Sequence, residues 1–233
     1  MGNIKNSIRE LLISSKIYES KAYMSFAEKR RSRRFHKNGM ETLKRLKKAF
    51  EETGKVYWLD YGTLLGAVRD KDFIPHDLDL DVGALIEERE DKLQEALIAN
   101  GLTKVREFRV DGEICEETYT YNGADIDIFY YHQEKDKLWC YSFTDEKPLA
   151  REKSGKKVVT RGWDTYKVTM TYTGFENIPF KGIEFNAPAD KDLYLKENYG
   201  NYMVPVKDWD FTQLASNIEK INVKDVIGIN YYE

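Results

Sequence analysis

Residues 56–85 read VYWLDYGTLLGAVRDKDFIPHDLDLDVGAL, and their pattern decides the fold. Val56 to Leu59 is an apolar run of strand type, and Asp60-Tyr61-Gly62 is the turn out of it. Thr63 to Val68 follows as a short apolar helix. A second strand is expected from His76 to Val82, with Pro75 at its entrance, where a missing N–H does no harm. In that strand Asp77, Asp79 and Asp81 alternate with Leu78, Leu80 and Val82. Strand side chains point to opposite faces in turn, so the three carboxylates share one face and the apolar residues the other. Acids crowded in this way repel one another and oppose folding unless a cation sits among them.

Working outward, Ala124 to Phe129 (ADIDIF) repeats the device. Asp125 and Asp127 point one way, Ile126 and Ile128 the other. Asp125, at the strand start, reads as an end or turn carboxylate. Asp127 lies between two large apolar residues, where an unpaired carboxylate is costly, and is the candidate for chemistry. Upstream of the acids, Gly62 and Gly66 let backbone approach an anion closely, and the first amides of the Thr63–Val68 helix are unpaired and partly positive. Arg69, Lys71 and His76 add cationic or protonatable groups near the same edge. For Arg69 and Lys71 an ordinary surface charge is the competing reading.

The rest of the chain supplies a frame. Ile4, Ile8, Leu11 and Leu12 fit one helix face, with Tyr18, Tyr23 and Phe26 after them. The basic run Lys29–Arg34 comes next, then a helix over Gly39 to Glu52 that Thr53-Gly54 closes. A charge run usually faces water; the alternative is a patch that meets an anionic membrane surface. Glu87 to Asn100 predicts a helix. Thr103–Val110 and Glu116–Tyr121 predict strands joined through Asp111-Gly112, a strong hairpin signal. Leu138–Phe143, Lys157–Thr160 and Ile178–Phe185 supply further strands and loops, with Lys181-Gly182 as a hairpin tip. Asp190–Tyr199 predicts a helix stopped by Gly200, Met203–Asp210 a packed loop, and Phe211–Glu233 a helix with a tail. The fold class is α+β, with an α/β-type mixed sheet, N-terminal helices and additional C-terminal strands and helix. Residues 1–54 form an N-terminal helical segment, 55–210 the catalytic domain and 211–233 a C-terminal extension.

Composition excludes several classes. With 233 residues, 41% hydrophobic and 33% charged, the chain is globular rather than disordered. Two cysteines and no secretory signal pattern predict reduced thiols, and with three histidines they leave no zinc spacing. No apolar run is long enough to span a membrane, so a cytoplasmic protein is expected, with peripheral contact at the inner membrane face as the use of the basic run. No nucleic-acid partner is expected.

Two carboxylates at i and i+2 on one strand, with a third from a neighbour, suit one or two hard cations such as Mg²⁺ or Mn²⁺, which bridge protein carboxylates to phosphates. Such sites serve phosphoryl or nucleotidyl transfer by positioning and charge stabilisation. No Ser/His/Asp or Cys/His arrangement competes.

The order LDYGTLLGAVRDKDFIPHDLDLDVG (59–83), ADIDIF (124–129), FNAP (185–188) and YLKENYG-NYMVP (194–205) resembles the LicD family of phosphotransferases, related to fukutin and fukutin-related protein. The resemblance implies a nucleotidyltransferase-like core. It makes Gly62-Thr63 the turn that holds the donor; Gly66, Arg69, Lys71 and His76, read above from the residues themselves, are the further donor-binding candidates. It makes Asp79 and Asp81 metal ligands and Asp127 the third acid. His76 stands where the family usually shows Trp, and Leu78 where a further Asp is common; the cysteine-rich metal site of some animal relatives is absent. The implied reaction moves a phosphorylated alcohol (phosphocholine, ribitol phosphate or glycerol phosphate) from a CDP-activated donor to a sugar hydroxyl of a cell-surface glycan, often lipid-linked, releasing CMP. The acceptor glycans implied are those of teichoic acid, capsule, lipooligosaccharide or lipopolysaccharide, or glycoprotein. The competing readings are a nucleotidyltransferase that uses an NTP to modify a small hydroxylated molecule, and a non-catalytic protein on the same fold.

Overall fold

The computed structural model describes residues 21–144, 150–206 and 210–232. The expected helix around Ile4 to Leu12, with Tyr18, lies outside them. The first element is one long helix, α1 (Lys21–Thr53). Its buried residues Phe35, Gly39, Leu43, Leu46 and Phe50 recur every three or four positions, which lays a single stripe of the helix on the sheet. The expected break before Gly39 is absent. Gly39 packs against the rings of Phe35 and Phe73, and the helix runs unbroken through the basic segment.

The chain continues through β1 (Tyr57–Leu59), α2 (Tyr61–Leu65), which widens into a π-type turn over Gly66–Asp70, β2 (Asp79–Leu85) and α3 (Asp91–Ala99). The strands β3 (Thr103–Val110), β4 (Glu113–Tyr121), β5 (Ala124–Glu134) and β6 (Lys137–Thr144) follow as a meander. Next are β7 (Ala150–Ser154), β8 (Lys157–Arg161), β9 (Asp164–Thr171), the hairpin β10 (Phe175–Phe180) with β11 (Ile183–Pro188), and α4 (Lys191–Tyr199). The chain closes with α5 (Phe211–Leu214), β12 (Ile218–Ile221) and β13 (Val226–Tyr231).

The main sheet runs β12-β9-β6-β5-β4-β3-β13-β8-β7, with β2 and β1 branching off β5. Every pairing is antiparallel except that of β2 with β5, which is parallel. The architecture is therefore α+β with a mixed sheet. β5 serves three partners because it is long: its first part lies between β2 and β4, and His132–Glu134 turn to β6. Leu80, Val82, Ile126, Ile128, Trp58, Tyr130 and Tyr131 join Leu43, Leu46 and Phe50 of α1 in one core. Gly83 is required there, since a Cβ would stand 2.2 Å from the Trp58 ring.

The Asp111-Gly112 and Lys181-Gly182 turns form as expected, with φ of 49° and 89° and of 50° and 81°, which match the strand twist of a tight hairpin. The second strand lies three residues later than expected, at Asp79–Leu85 instead of His76–Val82, because Pro75-His76 turns instead of extending. Glu87–Asn100 divides into a 3₁₀ turn (Ile86–Glu88) and α3. The C-terminal stretch is not a helix and tail. After the four-residue α5 it gives two strands, and β13 inserts between β3 and β8. Such short strands draw their stability from distant partners and leave little periodicity to read. Cys115 and Cys140 are both free and buried. Among the described residues no helix is long and apolar enough to cross a membrane.

Candidate active site

The parallel register brings the two acidic strands together pair by pair: Asp79 stands beside Asp125 and Asp81 beside Asp127. In-register neighbours share a face, so four carboxylates form a two-by-two patch opposite the apolar core. Arg31 of α1 reaches Asp79 at 2.8 Å and Asp125 at 3.5 Å. Arg106 of β3 reaches Asp127 at 3.3 Å and the buried Glu116 of β4 at 3.1 Å. Asp127 also accepts a short hydrogen bond from Thr118.

The start of α2 is fastened to Asp81 at three points. Asp60 N–H donates to the Asp81 carbonyl at 3.1 Å, Gly62 N–H to Asp81 Oδ2 at 3.1 Å, and Asp81 N–H to Thr63 Oγ1 at 2.8 Å. Asp60 caps the helix from full burial. It accepts from Tyr61 N–H at 2.8 Å, Tyr131 Oη at 2.7 Å and Tyr194 Oη at 2.8 Å. Tyr61, between cap and glycine, is held at φ 35°, a strained value for a residue with a side chain. The last sequence blocks now have structural reasons. YLKENYG supplies Tyr194 to Asp60, and Asn186 of FNAP donates to the Tyr57 carbonyl at 3.0 Å.

Burial dominates the electrostatics. It pushes Asp77 up to about 7, with the Asp79 charge adding, and Asp81 well above the carboxylate range, with Asp79, Asp127 and Asp77 adding. Burial likewise raises Asp79 against Arg31, and Asp127 and Glu116 against Arg106. The crowded, buried carboxylates therefore hold protons more readily than free ones. Among the described residues no three His, Cys, Asp or Glu side chains converge on one point as they stand. Mg²⁺ and Mn²⁺ need only one or two protein carboxylates, with water and substrate phosphate supplying the rest. The donor set fits such an ion: its oxygens are crowded, and Asp77 Oδ2 and Asp81 Oδ2 lie 2.9 and 3.2 Å from the point a Cβ on Gly62 would fill.

Two cavities adjoin the acidic residues, one at Asp77 and one at Asp81. One, of about 170 Å³, is lined by Gly62, Arg69, His76, Asp77, Tyr199 and Tyr202, with Val204 to Val206 at its rim. The other, of about 230 Å³, has Asp81, Tyr61, Phe129, Tyr199 and Phe211 in its wall.

The expected donor residues therefore separate. Gly62, Arg69 and His76 line the first cavity, where Arg69 also donates to Asp70 and, at 3.3 Å, to the Tyr202 carbonyl. Thr63 is buried with its hydroxyl committed to Asp81, and the amide of Gly62 is likewise taken by Asp81 rather than left open to an anion. Gly66 backs onto the return loop, where a Cβ would meet the Asp72 carbonyl at 2.6 Å; its smallness serves packing. Lys71 is exposed at the helix end with φ 56°, off the cavity wall. Asp77, expected inside the strand, precedes it, yet its Oδ2 and that of Asp81 both border the point a Cβ on Gly62 would fill. Sequence reading missed Asp125, although its i, i+2 spacing to Asp127 signalled a shared face. Arg31, Arg106 and Glu116 had no local signal, because only tertiary packing brings them here.

A family model described as LicD/FKTN/FKRP, nucleotidyltransferase domain, matches residues 54–190, which span β1 to β11 and the whole carboxylate patch. The chain is 27% identical over 187 residues to the mouse (Mus musculus) protein named ribitol-5-phosphate transferase FKTN, and 26% identical over 189 residues to the human (Homo sapiens) one. Each match covers 79% of this chain and 37% of the relative, so the chain spans under two fifths of those proteins' length. An uncharacterized protein of Rickettsia typhi is 37% identical over 87 residues, 35% of this chain and 25% of that one. Carrying the acidic strands and their glycine turn within the matched region, this chain belongs to the LicD/FKTN/FKRP family.

Proposed function

We propose that the protein is a LicD-type phosphotransferase that moves a phosphorylated alcohol from a CDP-activated donor to a sugar hydroxyl of a glycan and releases CMP. The observation that carries this reading is the two-by-two carboxylate patch of Asp79, Asp81, Asp125 and Asp127, with Asp81 in the wall of a cavity, in a chain of this family. The likeness to the ribitol-5-phosphate transferase FKTN proteins favours ribitol 5-phosphate over phosphocholine or glycerol phosphate as the group transferred. Asp79 and Asp81 would hold Mg²⁺ or Mn²⁺, with Asp127 as the third acid; when bound, the ion offsets phosphate charge.

The chain's own residues then have defined tasks. Asp81 is oriented by Gly62 N–H and by Thr63, and Asp127 by Thr118 and Arg106. The acceptor oxygen attacks phosphorus as the bond from phosphorus to the CMP oxygen breaks, and the acceptor proton passes to the Asp127 carboxylate. Arg69 supplies positive charge, and the His76 ring a hydrogen-bonding edge, to a phosphate in the smaller cavity. The exposed basic run Lys29, Arg30, Arg33 and Arg34 of α1 would face an anionic membrane surface if the acceptor is lipid-linked.

A thermal-shift screen of CDP-ribitol, CDP-glycerol, CDP-choline and free NTPs, with Mg²⁺ or Mn²⁺, tests the reading. A CDP-alcohol is expected to stabilise the protein. Stabilisation by an NTP alone would replace it with nucleotidyl transfer.

A further inference from the structure

The two cavities beside the carboxylates differ in kind. The smaller has Arg69 and His76 in its wall. The larger has no cation; its one ionisable group of acidic type is Asp81, and Tyr61, Phe129, Tyr199 and Phe211 set four rings around it. Phosphate finds no counter-charge there, whereas a flat, uncharged ring gains stacking area. The rings are held before any ligand arrives: Phe129 stands edge-on to Tyr61 at 4.9 Å, and Phe211 edge-on to Tyr166 at 5.8 Å. Ser142 adds a hydroxyl to the wall, suited to the polar edge of a heterocycle.

We infer that this aromatic cavity receives the base ring of the nucleotide donor, an assignment that rests on the donor reading above. The base lies among Tyr61, Phe129, Tyr199 and Phe211. The phosphates leave the cavity past Asp81 toward the carboxylate patch, and Tyr199, common to both cavities, separates the base from the cationic side. The smaller cavity, with Arg69 in its wall, keeps the phosphate role given to it above.

Calorimetric titration of CMP and of inorganic pyrophosphate, both with Mg²⁺, into the wild-type protein and two variants tests this. Phe211→Ala removes a ring from a short, partly exposed helix. Phe129→Leu keeps bulk and loses the π-face. Each is expected to weaken CMP binding by roughly 5- to 100-fold, the range of a lost base–aromatic stack, and to leave pyrophosphate binding unchanged. Phe211→Trp is expected to restore CMP binding, which a merely structural effect would not do. If wild-type protein binds CMP and both variants bind it equally well, the cavity takes something else, such as the acceptor sugar, and the assignment is overturned. If wild-type protein binds pyrophosphate but no cytidine nucleotide, the donor reading itself is overturned.

Discussion

Asp79 of β2 and Asp125 of β5 stand side by side in parallel register and share one guanidinium, that of Arg31, at 2.8 and 3.5 Å. An arginine from the first helix thus supplies the positive charge that two adjacent carboxylates require. Arg31 is itself about half exposed, so the pair contributes no more than about 1 kcal/mol to stability. Arg31→Ala is expected to cost the metal-free protein little in urea unfolding. It should tighten Mn²⁺ binding by roughly 3- to 10-fold, about 1 kcal/mol, because the ion no longer competes with a guanidinium. Weaker Mn²⁺ binding in the variant would show that Arg31 helps to build the site instead of occupying it.

Asp79→Ala and Asp81→Ala are each expected to lower transfer by about 10³-fold or more with the fold intact, as loss of groups that stabilise transition-state charge does. Removing a charge from a crowded patch should leave the melting temperature unchanged or higher. Asp127→Asn should keep donor binding and lose most turnover. Steady-state kinetics with circular dichroism on the same preparations checks all three; wild-type rates in Asp79→Ala sink the assignment.

Thr63 acts through Asp81. Thr63→Val leaves the Asp81 amide without its acceptor in a buried place, at a cost of about 1–3 kcal/mol. Thr63→Ser keeps the hydroxyl and is expected to recover most of that loss. Equal denaturation midpoints for Val and Ser variants would contradict the role given to the hydroxyl.

Stability should rise as the metal-free protein is acidified from about pH 8 to about pH 5.5. Asp60 is pushed up to about 6 by burial, against hydrogen bonds from Tyr131 and Tyr194, and Asp77 up to about 7 by burial and Asp79. Groups raised in the fold bind protons more readily there than in the unfolded chain. Their contribution is fully present below about pH 4 and is lost as pH climbs through 6 and 7. Asp70, lowered by the Arg69 hydrogen bond, and Asp72, lowered by Lys181, work in the opposite sense only at the acid end. Differential scanning calorimetry across this window should show a rise of several degrees, roughly 2–4 °C per kcal/mol for a chain this size. Saturating Mg²⁺ at pH 8 should flatten it. A melting temperature that falls steadily from pH 8 to 5.5 would count against the buried acids as described.

Gly83→Ala places a Cβ 2.2 Å from the Trp58 ring, inside the core that joins β1 to β2. Overpacking of this kind costs about 3 kcal/mol or more, and the soluble yield and unfolding midpoint should both drop.

Residues 56–85 by themselves determined that β1 and β2 exist, that Leu80 and Val82 face a core, and that Asp79 and Asp81 face away from it. Period-two alternation is a local property of the backbone, and ADIDIF revealed β5 by the same rule. The Asp111-Gly112 hairpin was equally local, since two residues with positive φ suffice to set it. Tertiary structure alone decided that β2 lies parallel to β5, which turns two separate acidic strands into one patch. It alone decided that Arg31, some 48 residues upstream of Asp79, would serve that patch. Gly62 and Thr63 show the same division. Their sequence marked a turn suited to an anion, but folding committed both to Asp81, because a buried carboxylate claims the nearest N–H and its amide the nearest hydroxyl.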